Sequence, residues 1–286
     1  MRTFLPLAVL AGASVSALVS PAEAIIRRQD VADQAYLVFG AESQVASVGR
    51  VLYDSGGSTY WNGTGTLIGD RWVLTAAHVV DGAVSYSFDF GGGTERDLAQ
   101  SVHLHPDWAS GVGFEGAADM ALIELDRPVT GYAPAALAGA ATTPGTLAAL
   151  VGYGGAGDGV NGWNGGYDVL RRAGTNVVEP LHNSFAPDIL TFDFDAPGPT
   201  GATSMESMIM FGDSGGAVMA MGDDGWELIG VHSFIASAGD PYGVYGDYSG
   251  STAVWNYMPW INSVVPAPSG VGVLGLGLLL VARRRR

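Results

Sequence analysis

Short apolar or alternating runs recur through the middle of the chain, separated by clusters of glycine, aspartate and proline. Such runs predict short β-strands, because strands alternate their side chains and end at turn-forming residues. The predicted strands cover residues 66–68, 72–74, 84–88, 121–125, 147–151, 189–192, 217–221 and 226–231. Helical periodicity is scarce, and only residues 255–264 bring apolar side chains to one helical face. The pattern predicts an all-β barrel or sandwich with a short C-terminal helix.

Two glycine-containing stretches separate the predicted strands. Residues 222–225, Gly-Asp-Asp-Gly, lie between two apolar runs and predict a hairpin turn. Residues 154–166 are rich in glycine and predict a surface loop rather than a repeat or a phosphate-binding loop. No linker-like stretch divides the middle of the chain, and a two-barrel layout would place its crossover near residues 133–146.

The first 24 residues have the three parts of a secretory signal peptide. Arg2 precedes an apolar run at residues 4–19, and Ala22-Glu23-Ala24 supplies the small residues of a cleavage site. We therefore expect the protein to be exported and to act outside the cytoplasm.

Residues 265–286 combine prolines, an apolar segment at 270–282 and four closing arginines. Thirteen apolar residues are short for a bilayer span, which needs about 20, and a frayed tail is the alternative. The pattern resembles bacterial sorting tags of the PEP-CTERM and VPLPA types, although Ala267 stands where the first type has glutamate. The resemblance implies a transmembrane helix that holds the protein briefly at the inner membrane until a sorting peptidase cuts it. The protein would then be in the cell envelope, on the cell surface or secreted.

About 240 residues lie between the two end segments, enough for one sizeable β domain. The chain has no cysteine and no lysine, so an exported domain would depend on its hydrophobic core rather than on disulfides. With Arg2, Glu23 and arginines 283–286 set aside, eight arginines face 27 acidic residues. This balance disfavours nucleic acid as a partner.

Residues 212–216, Gly-Asp-Ser-Gly-Gly, place Ser214 between glycines in an apolar stretch. One interpretation is a tight turn; the other is a nucleophile, because glycines permit close substrate approach and unusual backbone angles. The pattern also fits the Gly-x-Ser-x-Gly elbow of α/β-hydrolases, in which the acid and the histidine follow the serine. Asp223 or Asp224 and then His232 would have to serve, and the alternating strands and helices of that fold are not predicted.

A histidine and an acid precede Ser214 in the chain. His78 follows an apolar strand and three small residues, and Asp119 opens the apolar run at residues 119–123. A serine hydroxyl becomes a nucleophile when a base removes its proton, and that base is commonly a histidine held by a carboxylate. The order histidine, aspartate, serine is the order found in the chymotrypsin barrels.

These residues and their surroundings resemble the trypsin-like serine proteases of the chymotrypsin fold. The resembling blocks are residues 64–68, 72–78, 105–108, 119–123, 212–216, 230–234 and 255–261, spread discontinuously over residues 45–263. The resemblance implies an all-β fold of two six-stranded antiparallel β-barrels, with the catalytic cleft between them. It also implies one protease domain at residues 25–264.

The resemblance implies roles for individual residues of a serine endopeptidase that acts on protein or peptide substrates. Ser214 would attack the scissile carbonyl, while His78 takes its proton and later gives it to the leaving amine. Asp119 would fix the imidazole tautomer, and Ser233 would support Asp119. The backbone N–H groups of Gly212 and Ser214 would form the oxyanion hole.

Four residues are expected to line the substrate pocket: Met208, Ser233, Phe234 and Ile235. Family members that prefer arginine or lysine carry an acid six residues before the serine. Met208 stands there, so no such preference is expected. Ile235 replaces a glycine that usually follows the aromatic residue of the cleft strand, and its branched side chain would narrow the pocket.

A buried N-terminal amine is a further property that the resemblance implies. Family members bury the amine of a new N-terminal isoleucine or valine against the acid before the serine, which here is Asp213. Signal cleavage after Ala24 would create such an amine on Ile25 without a separate propeptide. A cut at Arg27-Arg28 by another protease is the alternative.

No cofactor and no metal site is expected. The remaining histidines, which have no partner spacing typical of a metal site, are His103, His105, His182 and His232. One interpretation of Asp89, Glu95 and Asp97 is a calcium-binding loop; the other is a trio of acids that an acidic surface offers by chance. We expect a monomer. Two other functions stay open: a non-catalytic surface protein that binds partners through a protease-like barrel, and a serine esterase on the same barrel.

Overall fold

The computed structural model describes residues 25–55, 58–82, 85–92, 97–108, 118–180, 186–199, 201–237, 239 and 241–266. The expected signal peptide and nearly all of the expected sorting tail lie outside these residues. Within the described ranges, no helix has both the length and the apolar character needed to cross a membrane.

The described chain begins with elements that precede both barrels. Strand β1 (Ile25–Arg27) is followed by helix α1 (Asp33–Gly40) and a 3₁₀ turn at Ser43–Val45. The sequence predicts no helix here, and α1 corrects that expectation. Its Val38 is 54% exposed while Tyr36 is buried, so the helix lacks the apolar stripe by which an amphipathic helix is found.

The first half of the chain closes a six-stranded barrel. Its strands are β2 (Val48–Ser55), β3 (Ser58–Gly69), β4 (Trp72–Thr75), β5 (Tyr86–Asp89), β6 (Asp97–Leu104) and β7 (Ala121–Leu125). They pair antiparallel in the order β2-β3-β4-β7-β6-β5, and β5 pairs back with β2. A single-turn helix, α2 (Ala77–Val80), leaves the end of β4.

The second half forms a six-stranded antiparallel path of barrel type. The elements of this half are β8 (Ala136–Leu137), β9 (Leu147–Gly152), β10 (Ala156–Asp158), β11 (Gly162–Trp163), β12 (Arg172–Val177), β13 (Ile189–Asp193), β14 (Ser207–Met208), β15 (Ala217–Gly222), β16 (Gly225–Ala236), β17 (Tyr248–Ala253) and α3 (Val254–Val264). The path runs β12-β9-β15-β16-β17-β13, with β8 alongside β16. A bridge between Glu179 and Thr191 links its two ends.

A third, small sheet runs β11-β10-β1-β14 and includes part of the glycine-rich stretch. The prediction of a surface loop at residues 154–166 is therefore wrong for β10 and β11. Gly155 has no room for a side chain, since a Cβ there would lie 2.6 Å from Trp163 Nε1. Gly155, Gly157 and Gly162 mark close packing rather than a solvent-exposed loop, whereas Gly165 is exposed.

The prediction of two antiparallel β-barrels with a C-terminal helix is confirmed. The predicted strand segments lie within strands of the structure, apart from Val84, which is outside the described residues, and Ser85, which precedes β5. The hairpin turn at residues 222–225 joins β15 to β16 as expected. One large hydrophobic cluster extends through both halves, so the barrels pack on a shared core.

Candidate active site

His78 and Asp119 are joined by two hydrogen bonds although 41 residues separate them along the chain. His78 lies in α2 directly after β4, and Asp119 precedes β7, which pairs with β4. The Asp119 carboxylate accepts from His78 Nδ1 at 2.7 Å and from the His78 backbone N–H at 2.9 Å. Because a carboxylate only accepts, Nδ1 carries the proton, and Nε2 is the ring nitrogen that can accept one.

The Asp119 side chain is fully buried. A third donor, the Ser233 hydroxyl on β16, bonds to the same carboxylate oxygen as the imidazole ring. Burying a carboxylate is costly unless hydrogen bonds replace its water, and three donors offset that cost here. The imidazole ring is consequently held in one orientation while 22% of the His78 side chain stays exposed.

The glycines around Ser214 adopt backbone angles that glycine takes at little cost. Gly212 has a φ of +91° and Gly215 a φ of +80°. A Cβ at Gly212 would lie 1.8 Å from Trp61 Cη2, and one at Gly215 would lie 2.1 Å from Thr75 Oγ1. The glycine pattern therefore belongs to a tightly packed loop that presents Ser214.

Two backbone N–H groups of this loop are oriented by the carbonyls next to them. The Phe211 carbonyl accepts from Gly155 N–H at 2.8 Å, and the Asp213 carbonyl accepts at 2.8 Å from the N–H three residues further on. The C=O and N–H of a trans peptide point in opposite directions, so the N–H groups of Gly212 and Ser214 face away from these donors. Within the described ranges neither N–H donates a hydrogen bond. Such a pair can bind a developing oxyanion.

Thr64 connects the first barrel to this loop of the second barrel. Its backbone N–H donates to the Ser214 carbonyl at 2.8 Å, and its Oγ1 donates to the Gly212 carbonyl at 2.9 Å. Thr75 Oγ1 in turn donates to the Thr64 carbonyl at 2.7 Å. The barrel that carries His78 is thereby fixed against the loop that carries Ser214.

A cavity of about 450 Å³ opens beside Ser214 and His78. The other residues on its wall are Asn62, Val79, Ile209, Met210, Phe211, Gly212, Ser233, Phe234, Ile235 and Tyr242. The wall carries no carboxylate among the described residues. Met208, which the sequence places on the pocket, lies behind the wall, where it is buried and pairs with Ile26 of β1.

Asp213, the residue before the serine, is fully buried near β1. Its carboxylate accepts from the N–H groups of Gly154 at 2.7 Å and Met210 at 2.8 Å. Burial raises the pKa of this carboxyl to about 7, although the two hydrogen bonds act in the opposite direction. Ile25 is buried as well and pairs with Ala156, two residues beyond the glycine that contacts Asp213.

The other histidines of the described chain do not line the cavity. His103 lies 3.0 Å from the Ser101 hydroxyl on the outer face of β6, and His105 packs against aromatic rings of α3. His232 is fully buried, and burial lowers its pKa to about 3, so the ring is neutral at physiological pH. His182 lies outside the described residues.

Two of the three acids considered for calcium, Asp89 and Asp97, pair with arginines. Asp89 binds Arg50 through both oxygens, at 2.7 and 2.8 Å, and Asp97 binds Arg127 at 2.7 Å. Glu95 lies outside the described residues. Across the described ranges, no group of three or more histidine, cysteine or acidic side chains is arranged to hold a metal ion.

Residues that sequence reasoning missed lie on the same cavity. Phe211 directly precedes the glycine loop and could have been found from its position in the chain. Asn62 and Tyr242 gave no such signal, because their strand and loop become neighbours of Ser214 only in the folded protein.

Comparison with known families and proteins agrees with this geometry. The family model described as Trypsin matches residues 38–261. Chymotrypsin-like elastase family member 1 of Felis catus is 28% identical over 240 residues, which covers 74% of this chain and 82% of the relative. Complement C1r-A subcomponent of Mus musculus is 30% identical over 250 residues, which covers 77% of this chain and 33% of the relative.

A solved structure shows the same fold. Neuropsin, a serine protease expressed in the limbic system of mouse brain, superposes with a TM-score of 0.60 at 20% identity. The superposition covers 78% of this chain and 96% of the neuropsin chain.

Proposed function

Because the chain belongs to the trypsin family and is accordingly a serine-type endopeptidase, we propose that Ser214, His78 and Asp119 carry out its peptide hydrolysis. The observation that carries the proposal is the cavity shared by the two barrels. The first barrel brings the Asp119–His78 pair to this cavity, and the second brings Ser214. A base oriented by a carboxylate beside a serine is the arrangement that makes a hydroxyl nucleophilic.

The acylation step uses the proton positions that the geometry defines. His78 Nε2 accepts the Ser214 hydroxyl proton as Oγ attacks the scissile carbonyl carbon. The imidazolium that forms is stabilised by Asp119, whose carboxylate is 2.7 Å from Nδ1. His78 then gives the proton to the leaving nitrogen, the C–N bond breaks, and the acyl group stays on Ser214. Water then attacks the acyl carbon and gives a proton to His78. His78 returns this proton to Ser214 Oγ as the ester C–O bond breaks, and the acid product is released.

The oxyanion is assigned to the N–H groups of Gly212 and Ser214. Both belong to peptides whose carbonyls are already bound on the other side, so they do not have to reorient when charge develops. Donors held in advance are worth about 3–4 kcal/mol each to the transition state. The tight contact of Trp61 on Gly212 supports the same loop geometry.

Covalent labelling with a fluorophosphonate probe tests these assignments. We expect the wild type to be labelled and Ser214→Ala and His78→Ala to lose labelling, because the first lacks the nucleophile and the second lacks its base. Ser101→Ala is the matched control, since Ser101 is a serine hydrogen-bonded to a histidine outside the cavity. Labelling that persists in Ser214→Ala would overturn the nucleophile, and an unlabelled wild type would favour a non-catalytic binding protein.

We further propose that the enzyme prefers substrates with an uncharged, apolar residue on the acyl side of the scissile bond. Ile209, Met210 and Ile235 line the cavity, and no carboxylate stands among the described wall residues to receive arginine or lysine. The Felis catus relative carries the name elastase, which agrees with a pocket narrowed by Ile235. Digestion of a peptide library gives the preference directly, and predominant cleavage after arginine would contradict it.

The free amine of Ile25 is proposed as the ionic partner of Asp213. Burial raises the pKa of the Asp213 carboxyl to about 7, which supports a cationic partner that forms only when the bond before Ile25 is cut. Ile25 also has a φ of +61°, which is costly for a branched residue. That strain disappears when the bond before Ile25 is cut, because the preceding carbonyl is gone.

Export and removal of the C-terminal tail complete the proposal. The signal-peptide pattern ends at Ala24, directly before Ile25, so export itself would release the amine. The apolar segment and arginines of the tail support a transient stay at the inner membrane. N-terminal sequencing of the exported protein is expected to give Ile-Ile-Arg.

A further inference from the structure

An aromatic shelf continues the catalytic cavity toward the first barrel. We define the shelf by its five rings, Trp61, Trp163, Tyr167, Phe211 and Tyr242. Each ring meets the next edge to face, with centroids 5.1 Å apart for Trp61–Tyr167, 5.8 Å for Tyr167–Trp163, 5.1 Å for Trp163–Phe211 and 5.6 Å for Phe211–Tyr242. The rings come from four separate chain segments, so the shelf forms only in the folded protein.

The shelf stays partly open to solvent. Tyr167, Phe211 and Tyr242 are each about two-fifths exposed, at 41%, 39% and 42%. Clustered aromatic side chains that remain exposed on a soluble protein mark a binding surface more often than single exposed residues do. Aromatic rings also lose little conformational freedom when a ligand covers them.

Trp61 fixes where the shelf lies relative to the reacting bond. Its ring covers Gly212, where a Cβ would be 1.8 Å from Trp61 Cη2, and its Nε1 donates to the Gly63 carbonyl at 2.9 Å. The ring is therefore held on β3, directly beside the proposed oxyanion site. Phe234 and Ile235 line the cavity but belong to β16 of the second barrel, whereas Trp61 belongs to β3 of the first.

These two sides correspond to the two halves of a substrate. If the acyl half lies along β16 in the apolar pocket, the leaving half must depart across Gly212, toward Trp61 and His78. We propose that the aromatic shelf binds the leaving half of the substrate and selects peptides with an aromatic side chain in the first two residues after the scissile bond. Edge-to-face rings favour a further ring beyond the gain from apolar area alone. The proposal rests on Ser214 catalysis as proposed above.

Acyl transfer from an ester isolates binding on the leaving side. With N-acetyl-leucine methyl ester, Ser214 Oγ displaces methanol and forms the acyl-enzyme. The Ser214 hydroxyl proton leaves with the methanol by way of His78. An added amine or water then attacks the acyl-enzyme ester and gives its proton to His78, which passes that proton to Ser214 Oγ as the C–O bond breaks. The ratio of amide to acid product measures how well each amine binds beside the acyl-enzyme, independently of the overall rate.

We expect phenylalaninamide to capture the acyl group about tenfold better than glycinamide in the wild type. Trp61→Ala and Tyr167→Ala should lower the phenylalaninamide ratio about tenfold, which corresponds to about 1.4 kcal/mol, and leave the glycinamide ratio within about twofold. Tyr60→Ala is the matched control, because Tyr60 is the exposed neighbour of Trp61 on β3 and stacks on Tyr53 outside the shelf. It should keep the wild-type ratios.

Two results would overturn the shelf as a binding surface. One is equal capture of both amines by the wild type. The other is a Trp61→Ala variant that turns over the ester more slowly but keeps the wild-type phenylalaninamide ratio, which would make the ring only a support for Gly212. Ester turnover that survives Ser214→Ala would instead overturn the proposed function, so the two failures are distinguishable.

Discussion

Asp119 shows how single residues define this site. Its buried carboxylate receives three hydrogen bonds, from the His78 ring, the His78 backbone and the Ser233 hydroxyl. The two bonds from His78 are local to the first barrel, whereas Ser233 lies on β16 of the second. In the proposed mechanism Ser233 is therefore a positioning residue, which acts on the reaction through Asp119.

Replacing Ser233 with alanine should lower kcat about tenfold, with a smaller change in KM. The variant loses one hydrogen bond to a charged group, which is worth about 1.5–3 kcal/mol, and only part of that is needed to reach the transition state. Ser251→Ala is the control, because Ser251 is also a buried serine but bonds to His232. Steady-state kinetics on a peptide substrate give both constants, and an unchanged kcat in Ser233→Ala would contradict the positioning role.

At the residue scale, the sequence predicts the candidate catalytic residues because their order along the chain and their neighbours are visible in it. His78, Asp119 and Ser214 stand next to apolar runs and glycines that mark strand ends, so their order alone suggests a shared site. The shelf rings Trp61 and Tyr167 gave no such sign. Their meeting depends on the packing of β3 against the chain beyond β11, and a sequence does not display contacts of that kind.

At the scale of elements, one arginine holds the N-terminal helix to the second barrel. Arg172 on β12 is 1% exposed and binds both oxygens of Asp33 in α1, at 2.6 and 2.8 Å. It also binds both oxygens of Asp168, at 2.9 and 2.8 Å. Asp168 directly follows Tyr167 of the shelf, so the same guanidinium fixes α1 and the chain next to the cleft.

Arg172→Leu should lower the free energy of unfolding by about 3 kcal/mol. The variant leaves the carboxylates of Asp33 and Asp168, which are only 17% and 16% exposed, without their cation. Asp30→Asn is the matched control in the same segment. Its ion pair with Arg28 is 44% exposed on the Asp30 side, and exposed pairs contribute little to stability. Urea unfolding measures both variants. Equal losses would mean that the Arg172 pairs are no more important than a surface pair.

Element boundaries follow the sequence where patterning is strong and depart from it where contacts decide. β7, β9 and β15 follow their apolar runs almost residue for residue. Helix α1 and strand β10 do not, because one is held by Arg172 and the other by pairing with the N-terminal strand. Both depend on partners more than 100 residues away, which no local pattern reports.

For the molecule as a whole, the proposed pair of Asp213 with the Ile25 amine would link maturation to stability. In the uncut chain its pKa is raised from 3.8 to about 7 by burial, so the folded protein favours the protonated carboxyl. That contribution to stability is complete below pH 4 and is lost as the pH rises through about 7. A free amine on Ile25 would supply the missing cation and remove the loss.

A chain that starts at Ile25 should therefore be more stable at pH 8 than one that starts at Glu23, by up to about 4 kcal/mol. The difference should shrink toward pH 4.5, and Asp213→Asn should abolish it at every pH. Urea unfolding of the two forms between pH 4.5 and 8 provides the comparison. A difference that persists in Asp213→Asn would show that the amine acts elsewhere.

The bonds from Thr64 to the serine loop have a consequence for how the protein fails. Both bonds cross from one barrel to the other, so a small slip between the halves would break them together while each sheet remained intact. On warming or in mild denaturant, peptidase activity would then be lost before circular dichroism shows any loss of secondary structure. An endopeptidase can cleave other copies of itself that have partly unfolded. Because activity would be lost at the first step of unfolding, damaged copies would not add to this self-digestion.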